Sequence, residues 1–357
     1  MTSVFTAAAA RRAVGNSVER LDSVDAAPAE WDELAVRCGN VFGTREFLSA
    51  WWDSFGAGRE LHVHAVRDPD RVLLGLLPLY AWRARRVRVL RFLGHGAGDE
   101  LGPIAEPPAR QEVARALLDV LSDVRASLLV GEQLPADAAW STLLGGRRIS
   151  LEGSPVLRFG HGSWDEYVAA QSANLRQQIR RLERRLGKAH SIRFVCPTER
   201  EEFETGLDML FALHRARWSG TETNFARREH FHRAFARTAH ERGWARLWLL
   251  EVNRSPAAAW YGLRFAGSES YYQMGRDPRW DHASVGFVLL VHSIREALAD
   301  GMEEYRFLRG GESYKYRFAT GDQGLESMVY GRNAGGAAML LAAHPAVALR
   351  RALRRRR

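Results

Sequence analysis

The same order of predicted secondary-structure elements occurs twice along this 357-residue chain. In the first half, two apolar, β-rich runs at 61–66 and 72–80 flank Asp68-Pro69-Asp70, a pattern that predicts a hairpin. A short strand at 87–93, a glycine-rich loop at 94–108, a helix at 111–124 and a strand at 127–130 follow. The hairpin therefore opens a block that closes with a strand, a helix and another strand.

The second half repeats this block with a hairpin at 245–252 and 257–265, a strand at 270–275 and a loop at 276–285. A helix at 286–299 and a strand at 305–308 complete it, and Gly301 ends the helix. The repeat predicts two α+β units of similar topology. Two unrelated α/β lobes remain the alternative.

The segment between the two blocks is predicted to be helical over 172–190, 199–218 and 230–242. In its first helix, apolar residues recur at helical spacing at Leu175, Ile179, Leu182 and Leu186. Basic residues form a neighbouring stripe with the same spacing, widened by two more arginines: Arg176, Arg180, Arg181, Arg184, Arg185 and Lys188. The helix is therefore predicted to bury one face and to carry positive charge beside it.

The net charge of +9 comes from two short segments. Residues 174–193 contain seven basic residues and one acid, and residues 350–357 contain six arginines. Because the rest of the chain is slightly acidic, the composition excludes a uniformly basic nucleic-acid-binding protein. The C-terminal arginine tail is interpreted either as a weak membrane-surface contact or as a frayed, solvated end.

Two cysteines, Cys38 and Cys196, fit no metal-binding spacing and are expected to be reduced thiols. No uncharged apolar run is long enough to span a membrane, and the N-terminal arginines follow the small apolar stretch, unlike in a secretory signal. A cytoplasmic protein is therefore expected. His62 and His64 share one strand face, but no third ligand is evident, so no metal site is predicted.

The most promising binding site is the start of the helix near Ser284. Free backbone N–H groups and the positive end of the helix dipole suit a phosphate or pyrophosphate there. Ser284 and Gly286 permit close approach, and Arg276 and Arg279 could add charge. The alternative is that Ser284 is a simple N-cap. The corresponding loop in the first half, 94–100, has two acids and no basic residue, which predicts a structural or substrate-shaping role.

Residues beyond the last strand form a second candidate site, because active sites of α/β proteins gather at strand ends. Tyr314 or Tyr316 could act as a general acid, and Lys315 could hold an anionic substrate. The alternative is an aromatic-rich surface turn. His214 is a candidate base, although its place on the apolar face of its helix is more typical of a core histidine.

Taken in order, five motifs resemble the CelD-like (BioF2-like) acetyltransferases of cellulose biosynthesis. These motifs are Ser172–Arg181, His214-x-x-Arg217-Trp218, Tyr271-Tyr272-x-Met274-Gly275-x-Asp277-Pro278, Ser284-x-Gly286 and Tyr314-Lys315. This family belongs to the GNAT superfamily and is related to the Fem peptidoglycan aminoacyltransferases. The resemblance covers about 164–318, and Phe47-Leu48-x-x-Trp51-Trp52 and Gly75-x-x-Pro78-Leu79 resemble the usual N-terminal part of these proteins.

The resemblance implies an α+β fold of two tandem GNAT-like units, each a mixed sheet flanked by helices, as in FemX. It places a flexible N-terminus at 1–16, a degenerate GNAT-like unit at 17–160, a GNAT acetyltransferase unit at 161–333 and a basic tail at 334–357. Acetyl-CoA or another acyl-CoA would lie between the strands at 270–275 and 305–308, without a metal. The pyrophosphate would lie on 281–287.

Site residues follow from the same resemblance. The implied donor-binding residues are Gln273, Met274, Gly275, Arg276, Arg279, Ser284, Val285, Gly286 and Phe287. A backbone N–H near 273–275 would stabilise the tetrahedral oxyanion. Tyr314, with Tyr316 second, would protonate the leaving thiolate, while Lys315 would contact an anionic substrate and His214 would be a further catalytic candidate. The implied substrate-binding residues are Arg176, Arg180, Arg217, Trp218 and Tyr272. The sequence departs from the GNAT phosphate loop, which is reduced to Arg279 followed by Ser284-Val285-Gly286.

These observations support one leading hypothesis and two alternatives. The first is an acyl-CoA-dependent N-acyltransferase acting on an amine of a small molecule, sugar or envelope precursor. The second is a Fem-like aminoacyltransferase that takes its acyl group from aminoacyl-tRNA and contacts the RNA through the basic helix. The third is a non-catalytic binding protein of a polysaccharide pathway.

Overall fold

The computed structural model describes residues 15–25, 29–84, 87–160, 162–218 and 221–331. Within these ranges the chain divides into two compact units. The first contains 15–38, 42–151 and 325–331, and the second contains 39–41 and 152–324. The predicted basic tail and all but two residues of the predicted flexible N-terminus lie outside the described residues.

The strands, in chain order, are β1 (Ser17–Leu21), β2 (Glu60–Arg67), β3 (Leu73–Ala84), β4 (Val87–Phe92), β5 (Leu128–Pro135), β6 (Arg147–Glu152), β7 (Pro155–Arg158), β8 (Ile192–Val195), β9 (Ala245–Val252), β10 (Ser255–Phe265), β11 (Ser268–Arg276), β12 (Glu304–Arg306), β13 (Gly321–Asp322) and β14 (Leu325–Gly331). The α-helices are α1 (Glu30–Arg37), α2 (Arg45–Phe55), α3 (Arg110–Asp123), α4 (Trp140–Leu143), α5 (Trp164–Ala170), α6 (Ala173–Ala189), α7 (Arg200–Arg217), α8 (Asn224–Arg227), α9 (Glu229–Glu241), α10 (Val285–Ala299) and α11 (Ser313–Tyr316).

The two units contain sheets with the same strand order. The first sheet runs β1-β2-β3-β4-β5-β14-β6, and the second runs β8-β9-β10-β11-β12-β7-β13. In each sheet the fourth and fifth strands are parallel, whereas the strand pairs that precede them are antiparallel. The predicted α+β fold of two mixed sheets flanked by helices is confirmed.

The sixth strand of each sheet comes from a part of the chain that the repeat did not predict. β14 pairs with β5, and β7 pairs with β12, both antiparallel. The predicted domain boundaries at 160/161 and 333/334 therefore differ from the observed division at 151/152 and 324/325. The carboxylate of Glu326 fixes β14 in the first unit, because it accepts hydrogen bonds from Ser141 N at 2.9 Å and Ser141 Oγ at 2.6 Å.

Each unit has its own apolar core. The first unit buries the large side chains Trp31, Trp51, Tyr80 and Phe47. In the second unit, the four predicted apolar residues of α6 are all buried, and they join one cluster with Trp260 and the inner face of α10. Cys38 and Cys196 are both free thiols, and burial raises the pKa of Cys38 to about 11. No helix in the described ranges has the length and apolarity that membrane crossing requires.

The close packing of α7 on β11 depends on a glycine. A Cβ atom at Gly275 would lie 2.4 Å from His214 N and 2.7 Å from Leu213 C, both backbone atoms. Helix and strand therefore touch without an intervening side chain, and this contact sets the distance between α7 and the sheet.

Replacing Gly275 with alanine should destabilise the second unit, because backbone atoms cannot yield to the added methyl group. We expect Gly275→Ala to lower the free energy of unfolding by about 1–3 kcal/mol, measured by chemical denaturation. Gly187→Ala is the matched control: its Cβ would make an ordinary 3.5 Å contact with Ile192, and alanine favours a helix interior by about 0.5–1 kcal/mol. Equal stability of the two variants would contradict the packing argument.

Candidate functional site

The parallel pairing of β11 and β12 is short. It covers only Ser268↔Glu304, Glu269↔Tyr305 and Ser270↔Arg306. β11 continues for six more residues while pairing with β10 on its other side, whereas Phe307 N turns to Pro155 O of β7 at 2.9 Å. Within the described residues, β12 therefore supplies no strand pairing to β11 past Ser270, and an opening is left between the two strands. We call this opening the β11–β12 notch.

The N-terminus of α10 supplies free amides next to the end of β11. Ser284 occupies the N-cap position in a left-handed conformation (φ 55°), and its side chain caps no N–H group. Neither Val285 N nor Gly286 N has an acceptor within the described part of the chain. A Cβ at Gly286 would lie 3.2 Å from Met274 Sδ, so the helix start packs directly against β11. Ser284 is therefore not a side-chain N-cap, and two backbone donors at the helix start are left without an acceptor among the described residues.

The two arginines predicted to add charge here are already paired. Arg276 Nε donates to Asp281 Oδ1 at 2.7 Å, and Arg279 Nε donates to Asp277 Oδ2 at 2.8 Å. The side chain of Arg279 is 83% exposed. Each guanidinium therefore sits beside a carboxylate, and the loop offers an anion its backbone amides but little net charge.

The two adjacent tyrosines of β11 have different surroundings, and a β-bulge lies beside them. Gly262 pairs with Tyr271 and Tyr261 with Gln273, which leaves Tyr272 as the extra residue. The buried Tyr272 hydroxyl lies 3.4 Å from His232 Nδ1 and is not available to a substrate. Tyr271 instead interacts with Tyr314 and Arg217. Tyr271 is the site residue that the sequence analysis missed, although the Tyr-Tyr motif contained it.

Tyr314 lies at the notch on the short helix α11. Burial raises the pKa of its phenol well above the usual range, and the neighbouring Tyr271 and Glu312 add to this effect. Burial also raises the pKa of Tyr271, while the Arg217 charge opposes the shift. Arg217 Nη1 donates to Met274 O of β11 at 3.3 Å. Tyr314 is therefore a protonated phenol at neutral pH, held beside the part of β11 that lies past its last pair with β12.

Lys315 is buried, and its ammonium group is used internally. Nζ donates to Arg309 O at 2.7 Å and Gly310 O at 3.3 Å, and it lies 2.9 Å from the Glu312 carboxylate. An ammonium group has three N–H donors, so these three partners satisfy it. Lys315 holds the loop that follows β12. It has no N–H group left for the predicted contact with an anionic substrate.

The Tyr316 hydroxyl donates to Asp322 Oδ2 at 2.6 Å. This hydrogen bond is the main reason that its pKa is raised to about 12. The ring is 45% exposed. Of the two tyrosines predicted as general acids, only Tyr314 is joined to the other side chains at the notch.

The basic residues predicted to bind substrate separate into different roles. Arg176 Nη1 donates to Ala169 O at 2.9 Å and Gln171 O at 2.6 Å, so it caps the C-terminus of α5. Arg180 is exposed on α6. Arg217 belongs to the notch, and its guanidinium lies 5.1 Å from the ring centre of Trp218. The remaining predicted donor-binding residues, Gln273 and Phe287, lie on β11 and in the first turn of α10.

His214 and Trp218 line an open cleft of about 500 Å³ at the C-terminal end of α7. Its other lining residues are Arg215, Thr221, Glu222, Thr223 and Ala226. His214 is buried, and its Nδ1 has no hydrogen-bond partner among the described residues. Burial lowers the pKa of His214 to about 4, so the ring is neutral at pH 7 and a weak base. The segment that follows α7 borders this cleft, and its residues 219–220 lie outside the described ranges.

In the first unit, a loop occupies the position that corresponds to the notch. β4 and β5 pair over three residues, and Leu101 N then donates to Gln133 O of β5 at 2.9 Å. Ile104 bridges to Leu76 of β3. The edge of β5 beyond the parallel pairs is thus engaged by the 94–105 loop. His62 and His64 stack on one strand face, and no metal-binding group of three such side chains occurs within the described ranges.

Comparison with known proteins agrees with this geometry. Residues 173–316 match the sequence model of the acetyltransferase (GNAT) domain. No curated protein matches the chain in sequence. The match covers the helical segment, the notch and Tyr314, but it does not distinguish the narrower CelD-like group.

Several solved structures have similar folds. The structural alignment with FemX covers 98% of the FemX chain and 88% of this one, at 12% identity and a TM-score of 0.62. A conserved protein of unknown function from Bacteroides thetaiotaomicron VPI-5482 covers 96% and 84%, at 10% identity and a TM-score of 0.56. The C-terminal domain of a putative lysylphosphatidylglycerol synthetase from Agrobacterium fabrum covers 95% and 88%, at 12% identity and a TM-score of 0.54. At these identities the likeness shows the fold alone.

Stability should fall in mild acid because buried imidazoles must be protonated on unfolding. Burial lowers the pKa of His214 to about 4 and that of His232 to about 3, from the ordinary 6.5. Because each imidazole has a lower pKa in the folded protein than in the unfolded chain, the unfolded chain binds more protons at pH values between the two. The stability that the neutral imidazoles contribute is therefore fully present above about pH 6.5 and is lost as the pH falls towards 4. For His214 alone we expect a loss of about 2 kcal/mol at about pH 5.

Denaturant titrations at several pH values should show this slope, and His214→Phe should reduce it. The exposed His230 provides the control, because His230→Gln should keep the wild-type slope. A slope that His214→Phe leaves unchanged would show that this ring does not carry the effect.

Proposed function

We propose that the second unit is an acyl-CoA-dependent N-acyltransferase, with acetyl-CoA as the first donor to test. The single observation that carries this proposal is the β11–β12 notch, which opens beside two free amides at the start of α10. An acyl-CoA has an extended arm and a pyrophosphate, and the notch and the amides offer complementary places for these two parts. Such donors place the reaction in the cytoplasm.

The reaction follows from the side chains around the notch. The acceptor nitrogen attacks the thioester carbonyl carbon, and a C–N bond forms as the carbonyl oxygen takes negative charge. Backbone N–H groups of β11 near Gln273–Gly275 would stabilise this oxyanion. The C–S bond then breaks, and the leaving thiolate takes the proton of Tyr314. The Tyr314 phenolate takes the proton that the acceptor nitrogen loses, which restores the phenol. Tyr271 and Arg217 position the Tyr314 hydroxyl.

The acceptor is proposed to enter from the cleft at His214 and Trp218. An exposed aromatic ring, two threonines and the Glu222 carboxylate suit an amine-bearing small molecule or amino sugar. The CelD-like resemblance favours an envelope or exopolysaccharide precursor. We also propose that the first unit is a degenerate GNAT-like unit without a donor site, since a loop engages its corresponding strand edge.

A Fem-like aminoacyltransferase using aminoacyl-tRNA is the second candidate. The observation that favours it is the pairing of Arg276 and Arg279 with aspartates, which leaves little net charge for a pyrophosphate. Binding measurements with acetyl-CoA and with an aminoacyl-tRNA separate the two candidates directly.

Donor binding should depend on the open start of α10. We expect acetyl-CoA to bind the wild-type protein in calorimetry, and Gly286→Val to weaken binding at least about tenfold because its side chain would cover the free amides. Thermal unfolding of the variant serves as the folding control. If no CoA thioester binds the folded wild-type protein, the proposed function is wrong.

The two tyrosines of α11 offer a matched pair for the general acid. Tyr314→Phe should reduce thiol release from acetyl-CoA about 100-fold, because the leaving thiolate loses its proton donor, with little change in donor affinity. Tyr316→Phe removes a hydroxyl two residues away and should retain activity. Thiol release is measured with a panel of amino sugars and small amines. Equal losses in both variants would remove Tyr314 from its assigned role.

A further inference from the structure

The outer face of α6 is an exposed array of positive charge. The helix buries Leu175, Ile179, Leu182 and Leu186 in the core of the second unit, which turns its opposite side outward. Five exposed cations lie on that side: Arg180, Arg181, Arg184, Arg185 and Lys188. We call these five residues the α6 cationic face. Their side is fixed, because burial of the apolar stripe leaves the helix no freedom to rotate.

None of the five has an acidic partner within the described residues. Glu183 is the only acid of α6, and it pairs instead with Arg295 of α10 at 3.4 Å. Arg176 is excluded from the face because its guanidinium caps α5. Exposed arginines elsewhere in this unit commonly have such partners, as Arg193 does with Glu251 and Arg237 with Glu204. The charge of the α6 cationic face is therefore available to an external anion.

The geometry makes the five charges act together. Arg180, Arg184 and Lys188 form one column and Arg181 and Arg185 an adjacent one, each stepping by four residues. At 1.5 Å per residue, the longer column spans about 12 Å. This length is comparable with the distance of about 8 Å over which physiological salt screens charge. Removing one charge would leave the others in place, so only combined substitutions test the surface.

We propose that the α6 cationic face adsorbs to an anionic phospholipid bilayer. The helix is an outward ridge with no large exposed apolar side chain, which fits electrostatic attachment without insertion. A specific single-stranded RNA site would instead need exposed aromatic rings for stacking, and α6 contains none. The cleft at His214 and Trp218 is lined by residues other than these five.

Membrane adsorption brings the second unit to the lipid surface without a spanning segment. It does not depend on the proposed acyl transfer, since the charge and exposure of α6 are independent of the notch. The attraction should be strongly dependent on salt, because it arises from charge alone.

The test uses the full-length protein and sedimentation with vesicles. The vesicles contain phosphatidylcholine with about 30 mol% phosphatidylglycerol, or phosphatidylcholine alone. The helix variant R180Q/R181Q/R184Q/R185Q removes four charges from α6. The matched variant R354Q/R355Q/R356Q/R357Q removes four from the C-terminal tail. We expect the wild-type protein to bind anionic vesicles only, the helix variant to bind at least about 100-fold more weakly, and the tail variant to retain binding.

Several outcomes would overturn the proposal. Binding retained by the helix variant, or lost only in the tail variant, would remove the role of α6. Equal binding to neutral vesicles, or binding of the wild-type protein to a structured RNA but to no vesicle, would exclude an anionic bilayer as the partner. Circular dichroism and thermal unfolding check the helix variant, and R181Q/R185Q replaces it if it is unfolded.

Discussion

The candidate site of the second unit depends on the short pairing between β11 and β12. Three parallel pairs join them, enough to continue one seven-stranded sheet from β10 to β7. Beyond Ser270 β11 keeps its pairing with β10, and the continuation of β12 bonds to β7. The other side of β11 loses the ladder hydrogen bonds that β12 would supply. This interruption lies inside a continuous sheet, where the flanking strands hold both diverging strands in place.

The residues with the most suggestive chemistry often serve to hold the backbone around this opening. Lys315 satisfies two loop carbonyls, and Arg176 satisfies two carbonyls at the end of α5. Both side chains meet carbonyl groups that would otherwise lack donors where irregular backbone packs on the core. Tyr271 and Tyr314 remain at the notch because the surrounding loop and helix ends are fixed in this way. A charged residue in a motif can thus be essential to a site without touching a substrate.

The sequence predicts those elements that a short stretch of residues determines by itself. The helix predicted over 172–190 is found as Ala173–Ala189, because an apolar spacing of three and four residues by itself defines which face is buried. The pairing of β14 with β5 could not be predicted, because the sheet that accepts a strand is decided by partners nearly two hundred residues away. The contact between Tyr271 and Tyr314 could not be predicted either, because the two residues lie more than forty positions apart in the sequence. The hydrogen bonds of Lys315 depend on the conformation of the loop after β12, which residue spacing does not predict.

The two units show that topology alone does not make a site. Both sheets place one short parallel pair at the same position, with three pairs in each. In the first unit β4 ends at Phe92, and the glycine-rich loop returns to hydrogen-bond with β5 and β3. In the second unit β11 continues past the pairing, and the chain enters a helix whose first amides are free. The difference lies in the residues after the fourth strand: a long loop that folds back engages the edge, whereas a longer strand and a short turn into α10 leave it open.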